Sequence, residues 1–195
     1  GRNSGVIHSG IYYKPGGHKA RFARAGAASM AAFCAEHGVP HDICGKIIAA
    51  TTTDELPRLE ALLQRARQNG VPAESISPER ARELEPHLQC TAAIHVRSTG
   101  IVSYRHVCLE FLRQFEQRGG VALFNHRVTK VREDAGTQII ETTGGDHAAR
   151  FVINCAGLHS DRVARSAGVD ARARIIPFRG EYYELTPARS HLVRN

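Results

Sequence analysis

The chain has 195 residues, with 26 Lys and Arg against 19 Asp and Glu, a formal net charge of +7. A hydrophobic share of 42% and a charged share of 23% are those of a globular protein and exclude a disordered or collagen-like chain. At roughly 100–200 residues per domain, the length admits one domain or parts of two. The longest run of small apolar residues, Ala25 to Ala35, is interrupted by Gly26 and Ser29 and is much shorter than the roughly 20 residues of a membrane span.

The basic excess does not point to nucleic acid. Arg58, Arg65, Arg67, Arg80 and Arg82 alternate with Glu55, Glu60, Glu79, Glu83 and Glu85, a pattern of solvated helix faces. With 6% aromatics and no Trp, bases have few stacking platforms. An anionic small molecule or cofactor accounts for the charge equally well. The five cysteines are odd in number and form no C-x-x-C pair, so a reducing, cytoplasmic compartment is expected. Cys34, His37, His41 and Cys44 lie close in sequence. Zinc ligands are usually two pairs separated by a longer loop, so no metal is expected here; a zinc or other non-catalytic binding module stays open as an alternative.

Residues 1–17 are glycine-rich and read as irregular, ending in Pro15-Gly16-Gly17. From His18 to about His37 an Ala-dominated stretch predicts a helix, stopped by Gly38 and Pro40. Lys46 to Ala50 reads as a strand. Thr53, Asp54 and Glu55 open a helix with Leu56, Leu59, Leu62 and Leu63 on one face, closed by Asn69-Gly70. Ser77-Pro78-Glu79 starts a shorter helix that Pro86 ends. A strand is expected at Ala92 to Val96 and a turn at Gly100. The next helix has Cys108, Phe111, Leu112 and Phe115 on one face and ends at Gly119-Gly120. Val121 to Val131 reads as a strand with an irregularity near Asn125. Gln138 to Thr142 with Gly144-Gly145 reads as a hairpin returning into a buried strand, Arg150 to Asn154. A helix from about Ser160 to Ala167 and an interrupted strand from Arg174 to Leu185 complete the chain. The order is α/β or α+β, with segments of two interleaved domains.

Two stretches carry the chemistry. In residues 150–168 a small-residue turn at Ala156-Gly157 joins a strand to a helix, where backbone approaches a ligand closely and a helix start favours phosphate. Asp161 opposes a phosphate placed directly against it, and simple close packing explains the turn equally well. In Gly1 to Tyr13, the donors of Arg2, Asn3, Ser4 and Gly5 suit an anion or a planar heterocycle, with His8 placed for proton transfer. A surface loop with a satisfied histidine is the alternative there.

Together these stretches resemble one family. Gly1-Arg2-Asn3-Ser4-Gly5-Val6-Ile7-His8-Ser9-Gly10-Ile11-Tyr12-Tyr13 is similar to the flavin-side loop of the L-2-hydroxyglutarate dehydrogenase/oxidase group. That group belongs to the FAD-dependent amine and hydroxy-acid oxidoreductases typified by D-amino-acid oxidase. Gly100-Ile101-Val102-Ser103-Tyr104, Val152-Ile153-Asn154-Cys155-Ala156-Gly157-Leu158 and Pro177-Phe178-Arg179-Gly180-Glu181-Tyr182-Tyr183 follow in the same order. The resemblance spans essentially the whole chain. Its first and last blocks are the specific ones, and the middle two recur across the wider superfamily.

The resemblance implies part of a doubly wound FAD-binding domain interleaved with a mixed-sheet substrate domain. Residues 1–40 and 101–170 would belong to the FAD domain, and 41–100 and 171–195 to the substrate domain. The G-x-G-x-x-G turn and the ribose-binding acid of such proteins are not in this sequence, nor is the closing C-terminal segment. The chain is therefore expected to be a slice of a longer one, with weak FAD affinity by itself.

The implied reaction is FAD-dependent oxidation of L-2-hydroxyglutarate to 2-oxoglutarate. His8 would be the base, and Arg179 would hold a carboxylate bidentately. Tyr182 or Tyr183 would donate a hydrogen bond, since only one of two strand neighbours faces a given side. A second partner for a diacid would be Lys14 or Arg2. Cofactor contacts would come from Arg2, Asn3, Ser4, Gly5, Ala156 and Gly157, with Val128 as a strand backbone beside the adenine. Another superfamily member, acting on glycerol-3-phosphate or amino acids, is the alternative enzyme. The electron acceptor would be oxygen or a membrane quinone, the latter with peripheral attachment at the inner membrane.

Overall fold

The computed structural model describes residues 3–194; the expectations placed on Arg2 lie outside them. The described chain forms two compact units, Gly1–Gly119 with Glu184–Asn195, and Gly120–Tyr183. No described helix is long and apolar enough to cross a membrane.

The first unit is built from two three-stranded antiparallel sheets and four helices. Strand β1 (Val6–Ile7), helix α1 (His18–His37) and strand β2 (His41–Asp42) come first. Strand β3 (Lys46–Ala50), helix α2 (Leu56–Gln68), strand β4 (Ala73–Ile76) and helix α3 (Pro78–Leu84) follow. Strands β5 (Ala92–Val96) and β6 (Gly100–Val102) then lead into helix α4 (Tyr104–Gln117). The sheets run β1-β6-β2 and β3-β5-β4.

Local chemistry explains most of these boundaries. Alanine favours the interior of α1, and Gly38 ends it in the left-handed region at φ 66°, where glycine carries no Cβ penalty. Val39 N–H then donates to the Cys34 carbonyl at 2.9 Å. The turn before α2 is fixed one residue earlier than the sequence suggests: Thr52 and Glu55 form a reciprocal capping box, satisfying helix-start donors. Ser77 caps α3 by accepting from Arg80 N–H at 3.2 Å.

Each sheet has its own core. Ile11, Leu63, Ala66, Val71, Ile94 and Val96 are buried between α2 and β3-β5-β4. Ile7, Cys34, Val39, Val102 and Val107 are buried together where α1 and α4 meet β1-β6-β2. Burying each large aliphatic side chain contributes about 1.5–3 kcal/mol. Burial pushes the Cys34 thiol upward in pKa, keeping it protonated and apolar in character.

Several expectations are corrected. Val6–Ile7 is a strand inside the stretch read as irregular, and Gly100 begins a strand rather than a turn. Strand β4, short and polar, left no hydrophobic alternation to read. On α4 the buried position is Val107, while Phe111, Phe115 and Cys108 are exposed. The reason is that α4 meets the core through its first turn, and Tyr104 there donates to the Val6 carbonyl at 3.1 Å. Phe111 packs against Phe33 with tilted rings 4.6 Å apart between centres.

The second unit is a meander of β7 (Val128–Asp134), β8 (Thr137–Thr142) and β9 (Gly145–Ala149), followed by helix α5 (Ser160–Ser166). The strand read from Val121 begins only at Val128, after Asn125 turns the chain at φ 61°. The returning hairpin strand is Gly145–Ala149, not Arg150 to Asn154. Residues 151–154 form no strand, and Phe151 and Ile153 are 84% and 85% exposed. Arg174 to Leu185 likewise forms no strand. Extended backbone pairs only when another strand offers its donors and acceptors, and among the described residues none pairs with either segment.

Glycine at 100 is a steric requirement, because a Cβ there would lie 2.5 Å from the Asp42 carbonyl oxygen in the backbone of β2. Gly100→Ala should therefore destabilise by about 1–3 kcal/mol. Gly26→Ala, in the open middle of α1, should stabilise by roughly 0.5–1 kcal/mol. Denaturant titration of both variants checks this pair.

Glu110 ties α4 to α1. It accepts from Arg113 Nη2 at 2.6 Å and from Gln114 Nε2 at 2.9 Å, and lies 3.5 Å from His37 Nδ1. These donors hold its carboxyl down at about 2, against an ordinary 4.5. A depressed folded-state value means that its stabilisation is present above pH 4.5 and disappears as pH falls through 2. Glu110→Gln should lower Tm at neutral pH, and the gap should close as pH falls towards 2.

Candidate functional site: a glycine loop and a strand–helix cleft

The first candidate region is the loop carrying His8. Ile7 enters one core and Ile11 the other, so the four-residue interval is fixed at both ends. His8 is exposed, whereas Ser9 and Gly10 are buried. Gly5 (φ 67°) and Gly10 (φ 86°) both adopt left-handed conformations. A Cβ on Gly10 would be 3.2 Å from the Ala23 Cβ, so the loop lies directly on α1.

Short hydrogen bonds shape its entry. Gly5 N–H donates to Asn3 Oδ1 at 3.0 Å, and Val6 N–H donates to Ser4 Oγ at 3.3 Å. His8 Nε2 is 3.4 Å from Ser4 Oγ. Among the described residues the buried Ser9 hydroxyl has no hydrogen-bond partner, a costly arrangement by itself. Further along, Asn69 Nδ2 donates to the Gly10 and Tyr13 carbonyls at 3.3 and 2.9 Å, and Arg65 Nη1 to the Tyr12 carbonyl at 3.3 Å. Lys14 is exposed.

The second region lies in the other unit. A cleft of about 540 Å³ is lined by Val128 and Thr129 of β7, Arg127, Ala156, His159, and Arg162, Val163 and Ser166 of α5. It brings Val128 and Ala156 together, with Gly157 in the adjoining turn at φ 56°. Asn154 holds that turn: its Nδ2 donates to the Ser160 carbonyl at 2.8 Å, and its Oδ1 accepts from Ala156 N–H at 3.1 Å. The Ser160 hydroxyl donates to the Gly157 carbonyl at 2.7 Å. Apolar walls beside the cations Arg127 and Arg162 suit a planar ring carrying an anionic chain.

Asp161 is buried beside this cleft but does not confront a ligand there. Its Oδ2 accepts from Arg165 Nη2 at 2.8 Å and Ile175 N–H at 3.3 Å. Burial pushes its carboxyl up, and those donors outweigh it, so the pKa is lower than usual.

The remaining sequence candidates are surface groups. Arg179 is exposed, with Nε 3.5 Å from Glu181 Oε1. Tyr182 and Tyr183 are also exposed. The cysteine–histidine cluster does not assemble: Cys34 is buried, His41 Nδ1 bonds the Val39 carbonyl at 2.8 Å and His37 turns to Glu110. Among the described residues, no group of three or more His, Cys, Asp or Glu could hold a metal ion. Sequence reasoning missed Asn154, although the Asn-x-Ala spacing before a glycine is an Asx-turn signal, and it missed Arg127 and Arg162.

A cleft between a meander strand and a helix, and separately a glycine loop laid on a helix, each have the character of a dinucleotide-dependent oxidoreductase. The chain belongs to the FAD dependent oxidoreductase family, which it matches over residues 1–195. It is 42% identical over 197 residues to an L-2-hydroxyglutarate dehydrogenase of Indibacter alkaliphilus, covering 100% of this chain and 49% of that protein. It is 41% identical over 207 residues to the mitochondrial L-2-hydroxyglutarate dehydrogenase of Homo sapiens, covering 100% of this chain and 45% of that one. Among solved structures, FAD-bound L-alpha-glycerophosphate oxidase from Mycoplasma pneumoniae matches with a TM-score of 0.76 at 24% identity, over 86% of this chain and 46% of that one. The chain thus spans about half the length of the relatives it matches. The fold is the mixed α/β fold of FAD-dependent oxidases.

Removing the Asn154 side chain should loosen the cleft floor. Asn154→Ala is expected to cost about 1–2 kcal/mol and to speed amide hydrogen exchange at Ala156 and the following turn, with β7–β9 protection unchanged.

Proposed function

We propose that the protein from which these residues come oxidises L-2-hydroxyglutarate to 2-oxoglutarate with FAD. The observation that carries this reading is the identity of about 40%, over the whole chain, to proteins named L-2-hydroxyglutarate dehydrogenase. The cleft chemistry and the glycine loop fit a flavin dinucleotide. Asn3, Ser4 and Gly5, with Arg2, are assigned to the flavin side, and Val128, Ala156 and Gly157 to the adenosine side. Residues 1–40 and 101–170 form the cofactor part, and 41–100 and 171–195 the substrate part.

Bound FAD supplies the two-electron acceptor for the α-hydrogen of the substrate. His8 takes the hydroxyl proton as that hydrogen leaves, and its exposed ring is open to a substrate. The Arg179 guanidinium holds a carboxylate through two parallel hydrogen bonds, and Tyr182 or Tyr183 adds one more. Lys14 or Arg2 is available for a second anionic group. The acceptor that regenerates the oxidised cofactor is oxygen or a membrane quinone, and the setting is cytoplasmic or peripheral to the inner membrane.

Anaerobic mixing of the full-length flavoprotein with L-2-hydroxyglutarate should bleach its flavin absorbance. Bleaching by glycerol-3-phosphate or an amino acid instead would overturn the substrate assignment. His8→Ala should slow flavin reduction about 10²- to 10⁴-fold with a much smaller change in substrate affinity. An unchanged rate would remove His8 from the reaction.

A further inference from the structure

A diacid has a second carboxylate to be recognised, and Tyr12, from the loop that presents His8, meets a lysine of β3. Lys46, the first residue of β3, places its ammonium nitrogen 3.3 Å from the Tyr12 hydroxyl and 4.4 Å from the centre of the Tyr12 ring. Among the described residues no carboxylate lies within ion-pair distance of Lys46. Arg97 at the rim of the same sheet differs: it is paired with Glu74 at 2.6 Å.

The geometry has a directional consequence. The Tyr12 oxygen accepts a hydrogen bond from the ammonium, so its own O–H points elsewhere and is free to donate. The ammonium keeps two further N–H donors. Lys46 Nζ and Tyr12 Oη therefore form a neighbouring pair of donors with one net positive charge, the complement of a carboxylate. The aromatic face orients the flexible lysine, lowering the entropy lost on binding.

Tyr12 is held independently of any ligand. Its carbonyl accepts from Arg65, and Asn69 bonds the carbonyls of Gly10 and Tyr13 on either side. Helix α2 thus fixes the backbone that carries the ring. Tyr12 lies four positions after His8, and that stretch of chain spans at most about 14 Å. The loop is not fully extended, because Tyr13 N–H donates back to the Gly10 carbonyl at 3.3 Å. His8 and Tyr12 both project from one short segment whose backbone is pinned by α2.

We infer that Lys46 and Tyr12 form the clamp for the far carboxylate of a dicarboxylic hydroxy acid, and so select diacids over monoacids. The inference rests on the substrate class proposed above and assigns the specificity to Tyr12 together with Lys46, which lies outside every stretch that carries the family resemblance.

The test compares L-2-hydroxyglutarate with L-2-hydroxybutyrate, which has the same hydroxyl carbon and no far carboxylate, as reductants of the full-length flavoprotein under anaerobic conditions. Lys46→Met should raise the half-saturating L-2-hydroxyglutarate concentration about 10- to 100-fold, far more than it shifts L-2-hydroxybutyrate. Tyr12→Phe should raise it several-fold, and Lys46→Arg should recover part of the loss. Equal shifts for both acids, or none for either, would overturn the clamp. Should the wild-type flavin fail to bleach with L-2-hydroxyglutarate, the substrate reading has failed and the clamp is still testable. Glutarate should then perturb the flavin spectrum at lower concentration than butyrate, and Lys46→Met should erase that preference. The absence of a preference in the wild type would overturn the clamp as well.

Discussion

Two isoleucines four residues apart set the first unit in order. Ile7 is buried with Cys34, Val39, Val102 and Val107, and Ile11 with Leu63, Ala66, Val71, Ile94 and Val96. Each belongs to a different core, so the loop between them cannot slide without emptying one. A cavity left by either would cost about 2–5 kcal/mol. His8 is held outside because both anchors point inward. The two left-handed glycines, Gly5 and Gly10, let the chain make these turns while lying against α1.

The same constraint connects packing to chemistry. A proton acceptor works only if its position is set before the substrate arrives, and the loop is set by apolar burial rather than by the histidine's own contacts. Ser4 touches the ring from the same loop at 3.4 Å. Arg65 and Asn69 of the α2 end bond the following carbonyls. The second unit solves a similar problem by polar means. Asn154 bridges the turn between strand-competent residues and α5, which leaves Ala156 and Gly157 at the cleft edge close to Val128.

Much of this was legible in the sequence wherever local chemistry decides the outcome. Lys46 to Ala50, Ala92 to Val96 and the helices at His18, Ser77 and Ser160 follow from composition and caps. What the sequence did not disclose depends on distant partners. Gly100 looked like a turn because glycine usually is one, and only the approach of the Asp42 carbonyl makes it a strand residue. Phe151-Val152-Ile153 has the composition of a buried strand, but pairing needs a neighbour that the described residues do not provide. That α4 is buried through Val107 rather than through the face carrying Phe111 and Phe115 depends on which surface another element meets. Of the residues proposed for function, His8, Val128 and Ala156 are named from motif resemblance, whereas Lys46 is not. Its significance lies in a contact across 34 positions of chain and in lacking a carboxylate partner among the described residues.

The central claim is that His8 removes the hydroxyl proton while the α-hydrogen leaves the same substrate molecule. Rapid-mixing flavin reduction by L-2-hydroxyglutarate deuterated at C2 tests it most directly, in wild-type full-length enzyme and in His8→Ala. The account predicts a primary isotope effect in both proteins, with a solvent deuterium effect in the wild type that the substitution abolishes. A wild-type rate insensitive to both deuterium substitutions, or a solvent effect that survives in His8→Ala, would contradict it.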